Sequence, residues 1–169
     1  MLSDVQITRR LRAASGYLDL GMPAEALEEL DPIDHATLLP LFYLRAASYR
    51  ELGEFETAVP LYATILKQQP DNVGAAVMKA WCEKRSGRLQ DAIRTLEKSV
   101  RLNPREAILQ YNLACYHALQ DDKQRCLSRL GVAIRLDRSY AALVQDETDF
   151  NTMRNDVDFA AMVDLAVSH

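Results

Sequence analysis

The residues with the strongest capacity for catalytic or metal-binding chemistry are three histidines and three cysteines. An imidazole or a thiolate binds zinc or acts as a base or nucleophile when partner groups lie within reach. His35, His117 and His169 have neither metal-ligand spacing nor a nucleophile pattern beside them. The sequence therefore predicts no catalytic centre, no metal site and no enzyme activity, and His117 is interpreted as a packing residue.

The cysteines Cys82, Cys115 and Cys126 are odd in number and include no C-x-x-C pair. This arrangement argues against a disulfide framework and against a zinc knuckle. Reduced thiols are typical of the cytoplasm. The first twelve residues lack the apolar region of a signal peptide, and no stretch approaches ~18 consecutive apolar residues. We therefore expect a cytoplasmic protein that inserts no segment into a membrane.

Cofactor motifs and strong charge are also absent. There is no G-x-G-x-x-G, no G-x-x-x-x-G-K and no H-E-x-x-H, so no cofactor is predicted. Acidic clusters at residues 25–29 and 121–122 lack calcium-loop spacing. The net charge is −4, which excludes a general attraction to nucleic acid. The acidic excess lies in residues 137–169, which carry two basic and seven acidic side chains.

Four short turns recur along the chain, at Gly21, Gly53, Gly87 and Asp121. The last two intervals between them are equal, at about 34 residues each, and the first is slightly shorter. Small residues stand seven positions before and five after each turn position: Ala14, Ala46, Ala80, Ala114, Ala26, Ala58, Ala92 and Cys126. Bulky residues stand nine positions after it: Leu30, Tyr62, Leu96 and Leu130. Pro70 and Pro104 follow the second and third turns at equal distances.

Each repeated position has a mechanical role in a helical hairpin. A glycine adopts a positive φ where the first helix ends. The small residues let two antiparallel helices cross closely, and the bulky residue fills the groove beside the crossing. The proline ends the second helix before the next repeat. The sequence therefore predicts a series of helix pairs that recur with a constant period.

This pattern resembles the tetratricopeptide repeat (TPR) family over about residues 7–138. Of the large aromatics expected early in each first helix, only Phe42 is present, and the fourth repeat has Asp121 for glycine and Arg138 for the closing proline. The resemblance implies an all-α fold, a right-handed solenoid of four hairpins, and a protein that holds a partner rather than catalysing a reaction. Atypical end repeats are common in such arrays.

We predict one domain over residues 1–169, with hairpins at about 4–35, 37–70, 72–104 and 105–138. The first helices are expected at about 4–20, 37–52, 72–86 and 105–119. The second helices are expected at about 23–31, 55–68, 89–102 and 122–136.

Residues 139–169 form an acidic end segment for which three short helices are predicted. Asp149-Phe150 and Asp158-Phe159 repeat the same dipeptide, and a methionine stands three positions after each phenylalanine. This segment resembles the acidic, Phe-containing end segment of many bacterial TPR proteins. It is interpreted as a cap on the last hairpin, and a detachable binding tail is the alternative.

The resemblance places the first helices on the concave, ligand-binding side of the solenoid. Helical spacing then predicts a floor of Tyr43, Trp81 and Tyr111 and a basic edge of Arg50, Lys84 and Arg85. Val77 and Ile108 complete the predicted site, and Cys115 is expected beside them with an accessible thiol. Trp81 either contacts a ligand or packs against the neighbouring hairpin or under the end segment.

The predicted partner is a protein or peptide with acidic and apolar residues. The carboxylate clamp of chaperone-binding TPR proteins is absent, because its positions hold other residues: Leu11, Ser15, Leu44, Gly74 and Met78. The alternative function is self-association, in which the groove and the end segment join copies of the chain into homo-oligomers.

Overall fold

The fold is seen in a computed structural model that describes residues 2–34 and 38–167, and side chains up to residue 164. The predicted loop residue His35 and the last residue, His169, lie outside these ranges. The described residues form ten α-helices and no strand. The helices are α1 Asp4–Asp19, α2 Pro23–Leu30, α3 Leu39–Glu51, α4 Phe55–Gln68, α5 Val73–Arg85, α6 Leu89–Leu102, α7 Ala107–Leu119, α8 Lys123–Leu136, α9 Ser139–Leu143 and α10 Val157–Val167.

All four turns between paired helices have the same backbone geometry. The turn glycines have φ of 70°, 79° and 74°, and Asp121 has φ of 55°. In each turn an N–H group donates to a carbonyl five positions earlier, as in Glu54 to Tyr49 at 2.8 Å and Asp122 to His117 at 3.0 Å. This bond closes a Schellman motif, which requires a left-handed residue. Asp121 therefore performs the role of the glycine, and aspartate tolerates this conformation better than most residues.

Unit 1 of the structure comprises residues 1–88 and contains α1 to α5. The predicted crossing residues Ala14, Ala26, Ala46 and Ala58 are fully buried, and Leu30 and Tyr62 fill the predicted large positions. The Arg45 guanidinium donates to the carbonyls of Leu30 at 3.0 Å and Ile33 at 3.3 Å, where α2 ends. These bonds join the first hairpin to α3 of the second.

Unit 2 comprises residues 89–169 and contains α6 to α10. Ala92, Ala114, Cys126, Leu96 and Leu130 are buried at the equivalent crossing positions. The repeat extends beyond the fourth hairpin, because α10 begins at Val157, one full period after the start of α8 at Lys123. The first half of this degenerate fifth hairpin is interrupted. It consists of α9 and a short 3₁₀ helix, Thr148–Phe150.

The end segment packs onto α7 and α8 through its aromatic residues. Phe150, Met153 and Phe159 are buried, and the two phenylalanine rings lie 5.4 Å apart. Thr152 Oγ1 donates to the Ala118 carbonyl at 3.1 Å. Lys123 Nζ lies 2.7 Å from a carboxylate oxygen of Asp156 and 2.7 Å from one of Asp158. The segment therefore covers the last hairpin as a packed part of unit 2.

Within the described ranges, no helix combines the length and the apolar composition needed to cross a bilayer.

Candidate partner-binding surface

Six of the predicted site residues lie on α3 and α5 in unit 1: Tyr43, Arg50, Val77, Trp81, Lys84 and Arg85. Tyr43 is half-buried and its side chain hydrogen-bonds with that of Asn72, while burial raises the pKa of the Tyr43 hydroxyl. Asn72 also caps α5 by accepting from the Ala75 N–H group at 2.9 Å. Val77 is only 7% exposed, so it packs beneath the surface residues.

Trp81 lies at the interface of α5 and α4 and keeps part of its ring exposed. Its ring meets that of Phe55 edge to face, with centroids 5.3 Å apart and planes at 87°. Such a pair stabilises the contact by about 0.5–1.5 kcal/mol beyond the burial of area. Trp81 thus packs against the neighbouring hairpin, as one of the two interpretations expected, and it stays partly exposed.

Arg85 completes an aromatic–cation cluster that we define as Phe55, Trp81 and Arg85. The central guanidinium carbon of Arg85 lies 5.2 Å from the Phe55 ring centroid and 5.5 Å from that of Trp81. Arg85 is exposed, and α5 ends at this residue. Both distances are within the ~6 Å range of cation–π attraction. The cluster therefore holds an exposed positive charge on a half-buried aromatic support.

Arg50 is the most enclosed cation of the predicted basic edge. Its guanidinium donates to the Glu51 carboxylate and, at 3.1 Å, to Met78 Sδ. Its buried Nε has no hydrogen-bond partner in the part of the chain that the structure describes. Burial raises the pKa of Tyr62 to about 12 and that of Cys82 to about 11, and the Arg50 charge opposes both shifts. The charge of Arg50 therefore affects buried side chains of unit 1 as well as its surface. Lys84 is partly exposed one position before Arg85.

The remaining two predicted site residues, Ile108 and Tyr111, lie on α7 in unit 2. Ile108 is half-buried. The Tyr111 ring contacts Tyr140 at 4.9 Å and Phe150 at 5.7 Å, is 7% exposed, and has a pKa raised by burial. Residues of the end segment thus cover the Tyr111 ring.

The predicted accessibility of Cys115 is wrong, because α7 is covered and the thiol is buried. Cys82 and Cys126 are also buried and free. Among the residues that the structure describes, no group of three histidine, cysteine or acidic side chains is placed to hold a metal ion.

Phe55, Asn72 and Met78 contribute to the unit 1 surface but were not predicted to do so. A signal for Phe55 was present, since an aromatic follows Gly53 by two positions where the other repeats have Pro23, Leu89 and Lys123. The part of Met78 depends on the conformation of the Arg50 side chain, which helical spacing does not specify.

Comparison with known proteins supports the repeat. Residues 49–114 match the model of the tetratricopeptide repeat family. The structure is similar to that of MamA (residues 41 to the end) from Desulfovibrio magneticus RS-1, with a TM-score of 0.77 and 20% identity over 99% of this chain and 96% of that chain. It is also similar to a thermophilic TPR protein of Thermus thermophilus, with a TM-score of 0.60 and 20% identity over 96% of this chain and 100% of that chain. No curated protein matches the sequence.

The repeated turn geometry, the buried crossing residues and these similarities together show that the chain has the all-α fold of the tetratricopeptide repeats.

Proposed function

We propose that this protein is an interaction scaffold, which binds a peptide segment or a helix of a partner protein on the groove side of its first helices. The observation that carries the proposal is the aromatic–cation cluster, which leaves an arginine and part of the only tryptophan of the chain exposed. Tryptophan, tyrosine and arginine dominate the binding energy of protein interfaces. The tetratricopeptide repeats support the same conclusion, because they commonly serve protein–protein interaction.

The chemistry of the surface favours a partner with both acidic and apolar residues. Tyr43 and Trp81 offer aromatic surface, and Lys84 and Arg85 offer positive charge beside it. The proposed site lies within unit 1, on α3 and α5. Ile108 and Tyr111 lie on α7 in unit 2, where the end segment covers Tyr111, and they are proposed as partner contacts of that unit alone.

Affinity purification from the native host tests the proposal directly. The bait is compared with a Trp81→Ala/Arg85→Ala variant and with a control variant, Lys98→Ala/Arg101→Ala, which changes two exposed side chains on α6. We expect the groove variant to lose a protein that the wild type and the control both retain, with helicity unchanged by circular dichroism. Equal recovery by all three baits would contradict the assignment of the partner to this surface.

Self-association is the second candidate function. It is favoured by a large apolar side chain on the end segment, Val157, which is 80% exposed at the start of α10. The acidic charge of this segment would complement basic residues of a second copy. Sedimentation at two ionic strengths, with wild type and Val157→Lys, tests this candidate. A wild-type monomer at high concentration and low salt would eliminate it.

The proposed scaffold acts in the cytoplasm. Cys82, Cys115 and Cys126 are buried, and none of them forms a disulfide within the part of the chain that the structure describes. Reduced cysteines persist best in a reducing compartment. Expression of the chain in a reducing and in an oxidising compartment, followed by thiol labelling after unfolding, would show whether all three thiols stay reduced only in the former.

A further inference from the structure

We propose that Arg85 is a carboxylate-binding residue, which the rings of Phe55 and Trp81 hold in position to receive an acidic side chain of the partner. This inference rests on the proposed function of the same surface and names the group that the surface recognises. Phe55 is then a positioning residue, since it acts on the ligand mainly through the arginine.

The interactions of Arg85 differ from those of three other arginines of unit 1. Arg45 donates to two carbonyl groups, Arg50 donates to Glu51, and Arg88 lies 3.7 Å from the Glu83 carboxylate. In the described part of the chain no carboxylate lies within ion-pair distance of Arg85, whose recorded contacts are the two rings. An exposed guanidinium therefore remains with its charge uncompensated by a neighbouring acid.

Contact with two rings prepares this guanidinium for a carboxylate. A guanidinium carries five N–H groups in a planar fork, and a contact with a ring leaves donors at the edge of that plane available. Two of these donors match the two oxygens of a carboxylate, and such bidentate bonds are the stronger kind. Because the rings already restrict the side chain, less conformational entropy is lost when the ligand binds.

The start of α4 lies beside the cluster, because helix α4 begins at Phe55. Its first N–H groups carry a partial positive charge, which the carboxylate of Glu56 in the same turn offsets, so Arg85 is the group that attracts the anion. The apolar edges of Phe55 and Trp81 would meet a neutral part of the same ligand. We therefore expect an acidic residue next to an apolar or aromatic residue.

Nuclear magnetic resonance with a small probe tests this site without a known partner. The probe is acetyl-Asp-Phe-amide, and the matched control is acetyl-Asn-Phe-amide, which differs in the charge of one side chain. Trp81 is the only tryptophan of the chain, so its indole N–H signal reports the cluster without ambiguity. The full-length chain is titrated as wild type, Arg85→Lys, Phe55→Leu and Arg101→Lys.

We expect the aspartyl probe to shift the Trp81 indole signal and the Arg85 Nε signal in the wild type, and the asparaginyl probe to bind at least about tenfold more weakly. Arg85→Lys keeps the charge but should weaken binding by about tenfold, because the fork is lost. Phe55→Leu should weaken binding several-fold, because one ring is lost. The variant should still fold, since the equivalent position of the next repeat holds Leu89. Arg101→Lys, on the exposed face of α6, should bind as the wild type does.

Equal binding of the two probes, no binding of either, or full binding by Arg85→Lys would each overturn the carboxylate site. Failure of the proposed function is a different outcome from failure of the carboxylate site. With the single variants Trp81→Ala and Arg85→Ala as further baits in the affinity purification, a partner that is lost with the first but not with the second would overturn only the carboxylate site. A partner that both variants retain would overturn the surface itself.

Discussion

His117 is 1% exposed on α7, and neither of its ring nitrogens has a hydrogen-bond partner among the described residues. Burial lowers the pKa of this imidazole, and Arg125 and Arg129 lower it further, whereas Asp122 and Glu97 oppose the shift. The neutral ring is therefore the form that the fold accommodates. The equivalent positions of the first two repeats hold Tyr17 and Tyr49, which supports the interpretation of His117 as a packing residue.

Because folding lowers the pKa of His117, we expect the protein to lose stability in acid. A histidine whose pKa is lowered by folding costs nothing above its unfolded value of about 6.5, and it destabilises the fold as the pH falls below that value. Urea unfolding at about pH 7.5 and about pH 5.5, on either side of that value, should show a lower free energy of unfolding at the acidic pH for the wild type. His117→Tyr should show a smaller decrease, and an identical decrease in both proteins would refute this account.

At the same scale, residue type and spacing predicted the site only in part. Trp81 was recognised because a lone tryptophan stands beside the crossing residue Ala80. Its contacts with Phe55 and Arg85 depend on side-chain conformations, which the helical period leaves undetermined. Tyr111 occupies the position equivalent to that of Tyr43, two periods further along the chain, but the end segment lies over it. Periodicity specifies the face of a helix on which a residue lies, and a distant segment determines whether that face stays exposed.

At the scale of elements, the end segment is the part least evident from the sequence. The eight repeat helices were predicted to within two positions of their observed ends, because glycine, proline and small residues mark their limits. The start of α10 also follows the period, yet Asp164 stands where the other repeats have a bulky apolar residue. The fifth hairpin therefore lacks part of the repeat pattern, although it packs on the fourth hairpin.

The cap interpretation predicts that Phe150 contributes strongly to the stability of unit 2. Its ring is fully buried against Tyr111 and Phe159, so Phe150→Ala should lower the free energy of unfolding by about 3–5 kcal/mol. The control Val157→Ala changes a residue of the same segment that is 80% exposed and should cost less than about 0.5 kcal/mol. Urea unfolding measures both values, and a negligible cost for Phe150→Ala would favour the detachable tail.

At the scale of the whole molecule, the repeat accounts for the fold and permits a wide choice of partner. The family match covers residues 49–114, and the similarity to the MamA structure extends over 99% of this chain. That the chain folds as a single domain remains a prediction from the spacing of residues 53, 87 and 121. Partner identity depends on surface side chains that the repeat does not constrain, which is why the fold was predictable and the ligand was not.

The most direct test of the account is site-specific photo-crosslinking in the native host. The substitution Phe55→p-benzoylphenylalanine places a photoreactive ring in the aromatic–cation cluster, and Thr57→p-benzoylphenylalanine places it at an exposed position two places along the same helix. We predict that the first protein forms a covalent adduct with one partner protein and that added Arg85→Ala suppresses this adduct. Adducts of equal yield and identity at residues 55 and 57, or none at residue 55, would contradict the claim that this surface binds the partner.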